Sequence, residues 1–212
     1  MKLYFSPMAC SLASRIALYE AGAKDAQFIE VDPKTKRTPD GSSYFDIYPL
    51  GLVPLLGLDD GSLLSENAAI LQYIAAHDRQ GELAPKDDIE RAHLQQWLCF
   101  IGTELHKGFF MPLFDQKAPE GTRQHTLKKY ESRLRYLNDH LTGRQYLLDR
   151  FSVADAYLYA ILNWTVPLNV DLAPWPAIKS YREFLQTRPS VARAFVEEMA
   201  LYKAELARHK AA

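Results

Sequence analysis

The periodicity of this chain changes once, near Pro85, and that single change limits the folds open to it. Before Pro85, short β-type runs alternate with helical stretches. After it, only helical spacing is found. Lys2 to Phe5 reads as a strand, and Leu12, Ile16, Ala17 and Tyr19 predict a packed helix from Cys10 to about Ala21. Ala26 to Val31 predicts a second strand, and Ser43 to Tyr48 a short helix. Val53 to Leu58 and Ser62 to Ser65 predict a hairpin around Asp60-Gly61, a two-residue turn signal. Glu66 to His77 then takes helical spacing through Ala69, Ile70, Tyr73 and Ile74. The order is βαβ, a short helix, then a hairpin and a helix. Arg79 to Pro85 is the expected linker, punctuated by Gly81 and Pro85.

Beyond the linker, Ile89, His93, Trp97, Ile101 and Leu105 recur every four residues and predict one packed stripe of a long helix. Cys99, Thr103 and His106 form a second stripe, so Cys99 and His106 are expected to point the same way. Thr122 to Leu141 predicts a charged amphipathic helix. Ser152 followed by Asp155 predicts a capped, apolar helix whose two polar residues are structural. Pro176 to Thr187 and Ser190 to about Arg208 complete an all-helical second half.

Composition excludes several classes. The chain has 212 residues and a formal net charge of −1, with no basic run suited to nucleic acid and no apolar run of membrane-spanning length. Cys10 and Cys99 are too few for a secreted disulfide framework, and no signal segment leads the first strand, so a reducing cytosol is expected. None of the six histidines sits in a ligand spacing with cysteine or carboxylate, so no metal is expected.

Chemistry concentrates at Cys10. A thiol at a helix start faces unpaired N–H groups and the positive end of the helix dipole, which favour thiolate. Cys10 is therefore the expected reactive thiol, and Cys99, among apolar neighbours, the quiet one.

The order and spacing of Ala9-Cys10-Ser11, Val53-Pro54, Ser65-Glu66-Asn67, His106-Lys107-Gly108 and Phe151 to Ala156 resemble the glutathione transferases, and within them the bacterial beta class. The resemblance covers essentially the whole chain. It implies a thioredoxin-like α/β domain over residues 1–82 and an all-α bundle over residues 88–212. It implies Cys10 and His106 as catalytic residues. Glutathione would be the co-substrate, held by Ala9, Val53 and a cis Pro54 at its cysteinyl part, and by Glu66 and Asn67 at its γ-glutamyl end. Lys36 would hold the glycyl carboxylate, with Arg37 an equal rival by chemistry. Cys99 would stand where relatives tend to carry Asn, and Glu104 would reach the glutathione of a neighbouring subunit in a homodimer. Phe109, Phe110, Met111, Phe114 and Trp164 would wall an apolar electrophile pocket.

Magnitudes constrain how a thiol is activated there. A free thiol is only about 3% ionised at neutral pH. Lowering its pKa to ~6.5 needs about 2.7 kcal/mol of preferential anion stabilisation. A helix dipole supplies ~0.3–1 kcal/mol. Direct donors are therefore required: backbone N–H groups near Cys10 and Ser11, and the His106 side chain. Tyr4 and Ser11 are the hydroxyl rivals for the same task. The reading is a cytoplasmic, homodimeric transferase joining the glutathione sulfur to hydrophobic electrophiles, with thiol-disulfide exchange or peroxide reduction through Cys10 as a side activity. Its rivals are a glutathione-dependent dehalogenase, isomerase or lyase, and a non-enzymatic adaptor on the same scaffold.

Overall fold

A computed structural model describes residues 1–78 and 80–211, the last without its side chain. Arg79, at the head of the expected linker, and Ala212 lie outside the described residues. Four strands form one mixed sheet: β1 (Lys2–Phe5), β2 (Gln27–Glu30), β3 (Leu55–Gly57) and β4 (Leu63–Ser65), in spatial order β2-β1-β3-β4. β1 runs parallel to β2 and antiparallel to β3, and β3 pairs antiparallel with β4. Leu3 lies opposite both Phe28 and Leu56. The period of two sends Leu3, Phe5 and Leu56 to one face, packed with Leu12, Ile16, Ile70 and Ile74. Tyr4 and Leu55 go to the other face, with Tyr44 and Val31.

α1 (Leu12–Glu20) begins two residues later than the sequence suggests. The cause is a tight turn over Pro7 to Cys10, in which Met8 takes a left-handed φ of 59° and the Ala9 N–H donates to Ser6 O at 3.1 Å. α2 (Asn67–Ala76) follows Glu66, which also has a left-handed φ of 68°. A short 3-10 turn covers Tyr44–Asp46. This is the thioredoxin-like half of the fold, and a helical half follows it.

The helical half contains α3 (Asp88–Phe100), a π-helical segment (Ile101–Phe110), and α4 (Met111–Phe114). Then come α5 (Thr122–Leu141), α6 (Val153–Leu162), α7 (Pro176–Gln186) and α8 (Pro189–Ala211). Asp87 caps α3, accepting from the N–H groups of Ile89 and Glu90. The four-residue stripe holds only in part: Trp97, Ile101 and Leu105 are buried, while Ile89 and His93 are exposed. α6 is apolar all round, every residue of it is buried, and it packs on α1 at the centre of the molecule. Asp155 is the polar exception on α6, and burial raises its carboxyl above the usual range while hydrogen bonds oppose that. It accepts from Ser152 N–H, Ser152 Oγ, Leu147 N–H and the Tyr181 hydroxyl at 2.7–2.9 Å. Among the described residues, no helix is long and apolar enough to cross a membrane.

Candidate active site

The Pro7–Cys10 turn is held by two residues of the helical half. The Met8 N–H donates to the buried Glu198 carboxylate of α8 at 2.8 Å. The Met8 carbonyl accepts from the Trp164 indole at 2.9 Å. A left-handed backbone at a non-glycine residue is costly, and these two bonds oppose that cost. Glu198 is itself paired with Arg15 of α1, 3.0 Å away and nearly as buried.

This turn carries Cys10 inward, not toward solvent. The thiol donates to the Val53 carbonyl at 3.4 Å, beside a cis Val53–Pro54 peptide. Its own N–H and the charge of Lys107 favour an anion there, but burial is the larger effect and pushes the thiol up to about 12. The expected thiolate at an open helix start is corrected accordingly: Cys10 precedes α1, is 7% exposed, and is a neutral thiol. Cys99 is corrected in the opposite sense. It is exposed, while His106 is buried. The wider i→i+5 turns of the π segment begin at Ile101, between the two, and rotate the predicted stripe.

His106 lies under Trp164, with ring centroids 5.0 Å apart in an edge arrangement. Its Nδ1 is 2.8 Å from the Tyr157 hydroxyl of α6. Burial first, and Lys107 second, lower the imidazole to about 4, so His106 is neutral at physiological pH. Tyr157 is also close enough to Cys10 for an anionic sulfur there to act on it, and burial holds its hydroxyl in the neutral form. Sequence reasoning passed over Tyr157. It lies inside an apolar run, and no spacing relates it to residue 10 or 106.

Asn67 is buried and its amide is committed. Nδ2 donates to the Cys10 carbonyl and Oδ1 accepts from Ser14 Oγ, both at 2.9 Å. Glu66, one residue earlier, is exposed. Ala9 is half-buried, with its carbonyl accepting from Leu12 N–H. In the polar loop, the Arg37 guanidinium donates to the Gly41 carbonyl at 2.5 Å. Lys36, half-buried at a left-handed φ of 55°, has no side-chain partner among the described residues. Glu104 forms a partly exposed ion pair with Arg133 of α5 at 2.9 Å.

The expected apolar wall divides. Phe109 and Phe110 are core side chains, packed on Tyr130 and Trp164 respectively. Met111 and Phe114 are partly exposed, and Phe114 meets Trp164 edge-on at 5.3 Å. A separate cavity of about 510 Å³ lies elsewhere, lined by Trp97, Tyr136, His140 and Arg144.

Residues 7–77 match the family described as glutathione S-transferase, N-terminal domain, and residues 90–189 its C-terminal domain. The chain belongs to the glutathione S-transferase family. It is 42% identical over 201 residues to glutathione S-transferase GstA of Escherichia coli O157:H7, covering 93% of this chain and 98% of that one. A solved sphingomonad glutathione S-transferase complexed with glutathione is 39% identical, with a TM-score of 0.87 over 93% of this chain and 98% of that one. A bacterial beta class glutathione S-transferase of Sphingomonas chungbukensis is 38% identical, with the same TM-score and coverage. The chain is a transferase of this family, and its resemblance to the bacterial beta class holds across both halves of the fold.

Proposed function

We propose that this chain joins the sulfur of glutathione to hydrophobic electrophiles in the cleft between the Cys10 turn and the π segment. The observation that carries this reading is the convergence of Cys10, the start of α2 and a neutral His106 on one buried polar cluster. Bound glutathione is the attacking thiolate. A thiol as strongly held in its neutral form as Cys10 is a poor nucleophile, whereas the Cys10 N–H, the Lys107 charge and His106 stabilise an anionic sulfur entering beside it.

The remaining glutathione contacts follow from chemistry. Glu66 takes the ammonium of the γ-glutamyl end. The backbone N–H groups at the start of α2, not the committed Asn67 amide, take its carboxylate. Lys36 takes the glycyl carboxylate in preference to Arg37, whose guanidinium is already spent on its own loop. The backbone of Val53 and Ala9 serves the cysteinyl part, with the Val53 carbonyl released by Cys10 as it binds. Met111, Phe114 and Trp164 offer the electrophile an apolar surface.

The working state is a homodimer in the cytoplasm. Phe45, Leu50 and Leu52 project from one loop at about half exposure or more, an apolar edge suited to a second copy. Glu104 would exchange Arg133 for a site across that interface. Both cysteines are free thiols, in keeping with a reducing compartment.

The test is retention on immobilised glutathione, followed by turnover of a panel of aryl halides, epoxides and isothiocyanates. Retention with turnover of at least one electrophile supports the reading. A folded protein that neither binds glutathione nor turns over any member defeats it.

A further inference from the structure

We propose that Tyr157 is a positioning residue: its hydroxyl donates to Nδ1 of His106 and so holds the imidazole proton on Nε2 as the donor to sulfur. This rests on the reading of His106 as a group that faces the glutathione sulfur.

The direction of the bond follows from counting donors and acceptors. A neutral imidazole has one N–H and one bare nitrogen, and the partner of one nitrogen decides the role of the other. The Tyr157 hydroxyl and His106 Nδ1 are 2.8 Å apart, so one of them donates. The phenolic oxygen is buried and has no other hydrogen-bond partner among the described residues. Were Nδ1 protonated, the phenolic proton would be left buried without an acceptor. The phenolic proton therefore goes to Nδ1. Nε2, which has no partner among the described residues, carries the imidazole proton.

Tyr157, on α6, thereby acts directly on the π segment, while Asn67 separately ties the Cys10 carbonyl to Ser14 of α1. The charged and titratable groups acting on the cluster are Lys107 beside His106, Glu66 at the start of α2, Glu198 of α8, and Cys10 itself. None of these supplies a donor to Nδ1 among the described residues.

The test uses Tyr157→Phe, which keeps the ring and removes only the hydroxyl. Nitrogen-15 imidazole spectra of the glutathione-free protein at neutral pH should show His106 protonated on Nε2 in the wild type. In Tyr157→Phe they should show a mixture of both tautomers. In turnover, Tyr157→Phe should lower kcat roughly tenfold and raise the apparent pKa of the bound sulfur by about one unit, with KM for glutathione changed less than about twofold. In a His106→Ala background, Tyr157→Phe should change neither quantity further. An Nδ1-protonated His106 in the wild type overturns the proposal. So does an unchanged pH profile in folded Tyr157→Phe, or an equal loss with and without His106. The spectra need no substrate, so failure of the transferase reading would leave the tautomer result standing and be told apart from failure of the positioning role.

Discussion

The backbone N–H of Met8 donates to the carboxylate of Glu198 at 2.8 Å, across 190 residues of sequence. One side chain of the last helix thereby fixes the turn that aims Cys10. Glu198→Ala removes that acceptor and one of two carboxylates beside Arg15, Glu197 remaining 3.1 Å away, so a loss of about 1–3 kcal/mol is expected. Glu198→Gln keeps an acceptor for Met8 and should cost clearly less. Urea denaturation of the two variants would check the order. Equal midpoints for Ala and Gln would show that the Met8 bond is not what the carboxylate contributes.

Thiol chemistry should separate by burial. In the glutathione-free protein, Cys99 should alkylate first at pH 7. The burial that pushes Cys10 up to about 12 leaves it on the order of a hundredfold or more short of the thiolate an exposed cysteine carries. Peptide mass mapping after a short pulse of alkylating agent reads this directly. Preferential labelling of Cys10 would mean that its N–H and Lys107 outweigh desolvation.

Acid should destabilise the fold through His106. Its imidazole is lowered from 6.5 to about 4 by burial, so below 6.5 the unfolded chain binds a proton that the native chain refuses. Stability is therefore whole above pH 6.5 and falls as pH drops toward 4, by about 3 kcal/mol for this group. His106→Asn should be less sensitive over that window. Parallel slopes for variant and wild type, in denaturant melts between pH 4 and 7, would contradict the assignment.

Gly108 should be intolerant of any side chain. A Cβ there would stand 2.4 Å from the Tyr130 hydroxyl and 2.8 Å from its ring, a closer approach than real contacts allow. Gly108→Ala must displace Tyr130, and overpacking of this kind costs about 1–3 kcal/mol. Adding Tyr130→Phe should recover part of the loss, because it removes only the nearest atom. Thermal melts of the single and double variants test this.

Much of the fold was legible because it is written in local patterns. The sheet's strands, the Asp60-Gly61 hairpin, the 122–141 helix and the Ser152–Asp155 cap each depend on residues a few positions apart, where period and capping chemistry act. The extent of the Cys10 helix was misjudged, since nothing local announces that Met8 turns left-handed; Glu198 and Trp164, from the other half of the chain, hold it there. Cys10, His106 and the Val53–Pro54 pair became candidates through motifs whose order and spacing resemble the transferase family. Their protonation and partners are not written in those motifs. A thiol or an imidazole takes its charge state from what surrounds it, and those surroundings are assembled by helices distant in sequence. The π segment illustrates the same division. Its residues read as one continuous α stripe, yet a change of turn at Ile101 sends Cys99 outward and His106 inward, under Trp164 and against Tyr157. The sequence by itself determined which elements form and which reactive groups they carry. Only the tertiary structure decided which of those groups are buried, and burial sets whether sulfur and imidazole are charged.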